Sequence, residues 1–168
     1  MIDIFEKNSL RNVFYLNNCF TECAILQEKF LPQNALVLGC GMGEYVSGFI
    51  NFCDISCTGF DCEQEINKCP DKVLRNYLTS TLALLDKSFD IVLLFNPLQK
   101  MDHESVERLF AVCDRVAIKN VILFVGKSDR SIEWWASVFG KYFKVLNYNF
   151  VEFRNGVIMG EVINYVKG

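Results

Sequence analysis

The sequence is poor in proline and histidine, and it has no long apolar run. Only 3 of its 168 residues are proline and one is histidine, whereas 51% are hydrophobic and 22% are charged. Such a composition excludes a disordered or collagen-like chain. The longest stretch without a charged residue, Phe30–Gly43, is shorter than the ~20 apolar residues that a membrane-spanning helix needs. The sequence therefore predicts a folded soluble domain with no membrane contact.

The charge balance shows no excess of basic residues. With 17 basic and 20 acidic residues, the formal net charge is −3. This balance argues against a stand-alone nucleic-acid-binding protein, because neutralisation of phosphates drives such binding. The first residues lack a basic stretch ahead of an apolar run, so we predict no signal peptide and expect a cytoplasmic protein.

The eight cysteines lack the paired spacing that is typical of metal sites. Cys53, Cys57, Cys62 and Cys69 are close in sequence, but no two cysteines are separated by two residues anywhere in the chain. Structural zinc and iron–sulfur sites usually need such pairs to close a chelate. We therefore predict no metal, and we interpret these residues as buried thiols in a reducing compartment.

Helical and strand patterns alternate along the chain, which indicates an α/β fold with a mainly parallel sheet. No linker or repeat interrupts them, so we predict a single domain over residues 1–168, with a leading helical segment over 1–30 and a core over 32–168. The predicted helices are 9–29, one directly after Gly43, one capped by Asp102 and one capped by Ser131. The predicted strands are 35–38, 55–60, 90–95, 121–125, 144–153 and 157–166. Residues 62–88 stay ambiguous, since 73–78 fits a helix that begins at Pro70 or a strand.

A glycine-rich segment, Gly39-Cys40-Gly41-Met42-Gly43, follows the first predicted strand and leads directly into a helix. Without β-carbons, such a backbone turns tightly and approaches a ligand closely, while free amide groups at the helix start face that ligand. Asp61 lies 18 residues after Gly43 at the end of the next predicted strand, where a carboxylate accepts hydrogen bonds from ribose hydroxyls. The combination predicts a site for a nucleoside-containing ligand, although a purely structural tight turn is the alternative.

These motifs resemble those of the class I S-adenosylmethionine-dependent methyltransferases. The G-x-G-x-G form of residues 39–43 is similar to the first motif of that family, and Gly59-Phe60-Asp61 is similar to the motif that ends its second strand. Residues 86–93 resemble the entry into its fourth strand, and the final strand pair, joined by Arg154-Asn155-Gly156, resembles its closing antiparallel hairpin. The resemblance implies a doubly wound seven-stranded sheet with helices on both faces and S-adenosylmethionine as cofactor.

The resemblance also implies a role for particular positions. Gly39, Gly41 and Gly43 would line the methionine and ribose portion of the cofactor, with backbone contacts from Cys40 and Met42. The other implied cofactor-binding residues are Asp61 at the ribose, Cys62 beside the adenine, Thr79 in the third-strand slot 77–80, and Phe95 and Asn96 at the donor methyl group.

Two departures from the family pattern concern cofactor affinity. Val37 stands where the family usually has an acidic residue, and residues 77–80 offer only hydroxyls where it often has another. Two missing carboxylates would forfeit about 1–3 kcal/mol each of charge-assisted hydrogen bonding. The alternative to an active enzyme is therefore a catalytically silent methyltransferase-like module that binds a protein partner.

The methyl acceptor and the catalytic residues are not identified by the sequence. Asn96-Pro97-Leu98-Gln99 only partly matches the motif of base-methylating enzymes, because Gln99 replaces the aromatic residue that stacks on the base. His103 is a candidate general base, with a solvated side chain as the ordinary alternative. Trp134 is a candidate partner surface, and pairing with a second copy or another chain would complete a substrate site.

Overall fold

The computed structural model describes residues 19–40, 43–60, 84–95, 101–125, 128–147 and 157–163. Residues 19–30 are helical (α1). The other helical elements are α2 (Glu44–Ser47), a π-helical turn (Gly48–Phe52), α3 (His103–Val116) and α4 (Ile132–Phe139). The strands are β1 (Asn34–Leu38), β2 (Ser56–Phe60), β3 (Phe89–Leu94), β4 (Ala117–Phe124), β5 (Phe143–Asn147) and β6 (Val157–Val162).

Within this part of the chain, the strands form a six-stranded sheet of order β2-β1-β3-β4-β6-β5. The first four strands are parallel, while β6 runs antiparallel to both β4 and β5. The chain leaves β1 for β2 on one side and returns to β3 on the other side. The order of the strands therefore reverses between β1 and β3, and in doubly wound sheets ligands bind at the carboxyl ends of the strands at such a point.

Both faces of the sheet are covered, as a parallel sheet requires. Leu36, Val92 and Leu123 point to one face and pack against α3 and α4. Val37 and Leu93 point to the other face, where they contact residues of α1 and α2. This alternation confirms the predicted α/β class with helices on both faces.

Where the structure describes them, the predicted strands agree with it to within one residue, except at β4, and predicted strand residues 148–153 and 164–166 lie outside the described residues. β4 begins at Ala117, four residues before the predicted start at 121, because it follows α3 without an intervening loop. β5 and β6 are antiparallel as predicted. The predicted turn at Asn155-Gly156, the ambiguous segment 62–83 and helix residues 9–18 lie outside the described residues.

The helix after the glycines is present, but its second half differs from the prediction. The residues from Gly48 to Phe52 form a π-helical turn rather than a continuation of the α-helix. A π turn contains more residues than an α turn, so it rotates the following side chains about the axis. Ile50 is 44% exposed, whereas its neighbour Phe49 is fully buried.

The two predicted helix caps are confirmed. The Asp102 carboxylate accepts a hydrogen bond from the Ser105 backbone N–H at 2.7 Å, and the Ser131 hydroxyl accepts one from the Trp134 N–H at 3.1 Å. Each cap satisfies a backbone donor that has no partner within its helix. No helix in the described ranges is long and apolar enough to cross a membrane.

Candidate functional site

The loop after β1 has the backbone conformation that its glycines predict. Gly39 has φ of 84° and Gly43 has φ of 90°, both in the left-handed region that residues with a β-carbon rarely adopt. The N–H groups of Gly39 and Cys40 both donate to the Phe60 carbonyl oxygen, at 2.8 and 3.1 Å. These bonds join the loop to the end of β2, so the carboxyl ends of β1 and β2 form one rigid corner.

Gly59 allows β2 to lie directly against this loop. A β-carbon at Gly59 would lie 2.6 Å from Val46 Cγ2 and 3.0 Å from Cys40 Sγ, which is closer than van der Waals contact permits. Close packing against Val46 and Cys40 therefore explains why the motif Gly59-Phe60-Asp61 begins with glycine. The backbone of β2 approaches the glycine loop more closely than any side chain would allow.

Open space lies over Gly43, and a groove runs beside it. A β-carbon at Gly43 would meet no heavy atom within 4 Å. The groove has a volume of about 430 Å³, within the range of small-molecule sites. It is lined by Cys40, Gly43, Val46, Ser47, Ile50, Asn51 and Gly59. Its polar side chains are Ser47 and Asn51, and Asn51 Nδ2 donates a hydrogen bond to Ser47 Oγ at 3.0 Å.

Phe95 follows the last residue of β3 at the switch point of the sheet. Its N–H donates to the Leu38 carbonyl oxygen at 2.9 Å, which places Phe95 beside the start of the glycine loop. The ring of Phe95 is half-buried and stacks on Phe124 with a centroid distance of 4.0 Å. The Tyr45 ring lies 4.5 Å from Phe95 and 5.7 Å from Phe124.

A buried carboxylate beside these rings was not predicted from the sequence. Glu22 on α1 is 8% exposed, and its Oε2 accepts a hydrogen bond from the Tyr45 hydroxyl. On the same helix, the Cys23 thiol donates to the Tyr45 carbonyl oxygen at 3.6 Å. One sequence signal could have identified Glu22, because it occupies the i+3 position from Cys19 on the apolar face of the helix.

Val37, which stands where the family usually has an acidic residue, is fully buried. Its side chain belongs to the same cluster as Tyr45 and Phe124, on the α1 side of the sheet. An unpaired carboxylate at this position would be costly in such apolar surroundings. The valine is therefore consistent with its packing environment.

The structure describes six of the eight cysteines. Cys19, Cys23, Cys53 and Cys113 are buried, as predicted, whereas Cys40 and Cys57 are half-buried. Loss of solvation raises the pKa of Cys23 and raises those of Cys57 and Cys113 to about 12, so these groups are thiols rather than thiolates at neutral pH. No group of three potential metal ligands occurs among the described residues.

His103 and Trp134 both contact neighbouring side chains. His103 Nε2 lies 3.3 Å from Glu107 Oε1, and its ring meets Trp134 edge-on at 5.5 Å. The Arg130 guanidinium lies 4.2 Å from the centroid of the Trp134 ring, and Arg130 Nη2 donates to the Met101 carbonyl oxygen at 2.8 Å. Trp134 is thus half-buried rather than a fully exposed surface, while its neighbour Trp135 is fully buried.

The remaining predicted site residues lie outside the described residues. They are Gly41, Met42, Asp61, Cys62, Thr79 and Asn96. The structure thus brings Gly39, Cys40, Gly43 and Phe95 together at the carboxyl ends of β1 and β3, and the roles assigned to the other six stay predictions.

Comparisons with known proteins identify the family of this chain. A sequence profile described as "Methyltransferase domain" matches residues 36–125, which is more than half of the chain. A search of curated proteins finds no match.

Solved structures with this fold include several methyltransferases at low sequence identity. A candidate O-methyltransferase from Nostoc punctiforme PCC 73102 has a TM-score of 0.61 at 15% identity, with 86% of this chain and 56% of that chain covered. The pyocyanin biosynthetic protein PhzM has a TM-score of 0.58 at 16% identity, with 87% and 55% covered. This chain therefore spans little more than half the length of these two proteins.

A third structure matches over most of its own length. Magnesium protoporphyrin IX methyltransferase ChlM from Synechocystis PCC 6803, crystallised with bound S-adenosylmethionine, has a TM-score of 0.60 at 14% identity, with 96% of this chain and 85% of that chain covered. The profile match, the left-handed glycines 39 and 43 and the order of the strands all point to the same family. The chain belongs to the class I S-adenosylmethionine-dependent methyltransferase family.

Proposed function

We propose that the protein is an S-adenosylmethionine-dependent methyltransferase that transfers the methyl group directly to an acceptor molecule. The observation that carries the proposal is the corner formed by Gly39, Gly43 and Gly59. There, two left-handed glycines and one close backbone approach leave open space over Gly43, beside a groove between α2 and β2. This is the combination that a nucleoside-containing cofactor needs.

The residues present fit that cofactor. The backbone of Gly39, Cys40 and Gly43 would hold its methionine and ribose portion, and Asp61 would accept hydrogen bonds from the ribose hydroxyls. Cys62 and Thr79 would lie at the adenine, and Phe95 and Asn96 at the methyl group. When bound, the cofactor supplies a methyl group activated by a positively charged sulfur. The protein would then act mainly by positioning the acceptor, since proximity and orientation supply most of the rate enhancement in such a reaction.

The finer details of the fold and the site belong to the same proposal. We propose that residues 61–83 contain a seventh strand beside β2, and that a turn at Asn155-Gly156 joins β5 to β6. The acceptor stays open among small molecules, proteins and nucleic acids.

Titration of the purified protein with S-adenosylmethionine and S-adenosylhomocysteine tests the cofactor. We expect binding of both, with a rise in melting temperature as ligand concentration increases. Asp61→Ala should weaken both affinities about tenfold or more, since a charge-assisted ribose contact is lost. Absence of binding at millimolar ligand would contradict the proposal, and binding without turnover on any acceptor would favour the silent module.

A further inference from the structure

Arg130 carries a buried hydrogen-bond donor that has no partner. The residue stands in the segment after β4, directly before Ser131, the cap of α4. Its Nη1 atom is buried, and no acceptor in the described part of the chain lies within hydrogen-bond distance of it. A charged donor that is neither paired nor hydrated is destabilising, so native proteins keep few of them. Such a donor indicates a partner that the protein itself does not supply, such as water, an ion or a ligand.

The rest of the Arg130 side chain is held in place by its neighbours. Nη2 donates to the Met101 carbonyl oxygen at 2.8 Å, and the guanidinium carbon lies 4.2 and 5.5 Å from the ring centroids of Trp134 and Trp135. The Arg130 backbone N–H and the Trp135 indole N–H both donate to Ser128 Oγ, at 3.1 and 3.2 Å. The guanidinium is therefore positioned before any ligand binds, which lowers the entropic cost of binding one.

These contacts leave the positive charge of Arg130 without a paired anion. The Met101 carbonyl and the two indole rings are neutral, and Arg130 forms no ion pair with any other described residue. The Asp102 carboxylate interacts with Arg130 through space, but it accepts its hydrogen bond from the Ser105 N–H at 2.7 Å. A guanidinium presents its N–H groups as a planar fork that matches a carboxylate or a phosphate. Charge and geometry therefore both favour an anion as the missing partner.

Arg130 lies at the same edge of the sheet as the glycine loop. β3 and β4 are parallel neighbours, and Met101 and Arg130 belong to the segments that leave their carboxyl ends. The bond between Arg130 and Met101 joins these two segments. β4 is two strands from β1 in the sheet, which corresponds to about 10 Å between the strand axes. A small molecule bound at Arg130 could therefore extend toward the end of β1.

We infer that Arg130 binds an anionic group, a carboxylate or a phosphate, of the methyl acceptor. The inference rests on the proposed function, because the acceptor has to approach the edge of the sheet at which the glycine loop would hold the methyl donor. Nη1 donates to an oxygen of the anion, while Nη2 keeps its bond to Met101. Arg130 is in this role a specificity-determining residue. It favours acceptors with an anionic group at one end and leaves the group that receives the methyl free at the other end.

Anion titration followed by tryptophan fluorescence tests the inference. Trp134 and Trp135 are the two tryptophans of the chain, and both contact Arg130, so their emission reports on this site. The probes are inorganic phosphate and acetate, with chloride at equal ionic strength as the blank. We expect a saturable change in wild type and an affinity about tenfold lower in Arg130→Gln, since a charge-assisted hydrogen bond is lost. The probe that binds more tightly shows whether the site prefers a phosphate or a carboxylate.

Arg108→Gln is the matched control. It removes the same charge from an exposed position on α3 that also interacts with Asp102, and it should change the anion affinity by less than about twofold, because exposed charges are screened. No saturable response in wild type, or equal affinities in wild type and Arg130→Gln, would mean that Nη1 meets only water and would overturn the inference. Should Arg130→Gln not fold, Arg130→Lys keeps the charge without the fork. It should lower the affinity about fivefold, and an unchanged affinity would likewise overturn the inference.

The outcomes also separate the inference from the proposed function. The fluorescence titration needs no methyl donor, while calorimetric titration of wild type with S-adenosylmethionine measures donor binding separately. Donor binding without anion binding overturns the inference and leaves the proposed function standing. Anion binding without donor binding means that the proposed function fails, and the assignment of the anion to a methyl acceptor fails with it.

Discussion

At the scale of single residues, two capping side chains begin the helices that follow β3 and β4. Asp102 ends the segment after β3 and begins α3, while Ser131 ends the segment after β4 and begins α4. A cap satisfies an otherwise unpaired backbone N–H, so it stabilises both the helix and the loop that enters it. Both caps were predicted because a polar residue directly before an apolar helical pattern is a local signal.

The cap at Asp102 makes stability depend on pH. The hydrogen bonds from Ser105, helped by the nearby positive charges of Arg130 and Arg108, hold the pKa of the Asp102 carboxyl below its ordinary value. A carboxyl whose pKa is lower in the folded state stabilises the protein above its unfolded-state pKa of about 3.9, and this contribution is lost as pH falls through the folded-state pKa. Wild type should therefore be more stable than Asp102→Asn at about pH 6, with the difference shrinking toward about pH 3.

Urea denaturation of both proteins across this pH range measures the difference. Ser131→Ala is the control, because it removes an uncharged cap and should lower stability by about 1 kcal/mol at every pH. A difference between wild type and Asp102→Asn that does not vary with pH would show that the Asp102 charge adds nothing to the cap.

At the scale of elements, the decisive contact is the one between β2 and the start of α2. Gly59 lies so close to Val46 that a β-carbon at position 59 would overlap the valine side chain. The sequence indicated a strand, a glycine loop and a helix here, yet it could not show that the glycine of β2 lies under the valine of α2. The π turn that follows was likewise missed, since it results from packing rather than from a local motif.

Gly59→Ala should destabilise the protein by about 1–3 kcal/mol, because the added methyl group overlaps Val46 and displaces the glycine loop. It should weaken S-adenosylmethionine binding for the same reason. Val46→Ala removes the overlapping methyl groups, so the double variant should recover part of both losses. Urea denaturation of the two single variants and the double variant gives the coupling energy. Strictly additive effects would mean that the two residues do not interact.

At the scale of the whole molecule, the sheet separates two apolar layers with different roles. The layer with α3 and α4 supports the sheet from one face, while the layer with α1 and α2 supports it from the other face and also carries Glu22 and Tyr45. Stability depends on both layers. The glycine loop leads directly into α2, so we expect ligand binding to depend more on the second layer.

Leu109 on α3 and Leu26 on α1 are both fully buried. Substitution of each leucine tests whether the two apolar layers have different roles. Each Leu→Ala substitution should lower the free energy of unfolding by about 2–5 kcal/mol. At a temperature where both variants are folded, Leu26→Ala should also weaken S-adenosylmethionine binding, since Leu26 shares a buried cluster with Val37 and Tyr45 on either side of the glycine loop. Leu109→Ala should leave that affinity unchanged. Equal affinities in the two variants would contradict a separate role for the α1 layer.

The sequence by itself determined the elements, their order and the glycine corner of the site. Apolar periodicity, glycines and capping residues act within a few positions of the chain, so the strands, the helix starts and the glycine loop could be predicted from local pattern alone. Only the tertiary structure decided which side chains meet across that corner. Glu22 and Tyr45 are 23 positions apart, and the stacked rings of Phe95 and Phe124 come from the residue after β3 and the end of β4. Their contacts exist because non-neighbouring elements pack together, and no local pattern in the sequence encodes such packing.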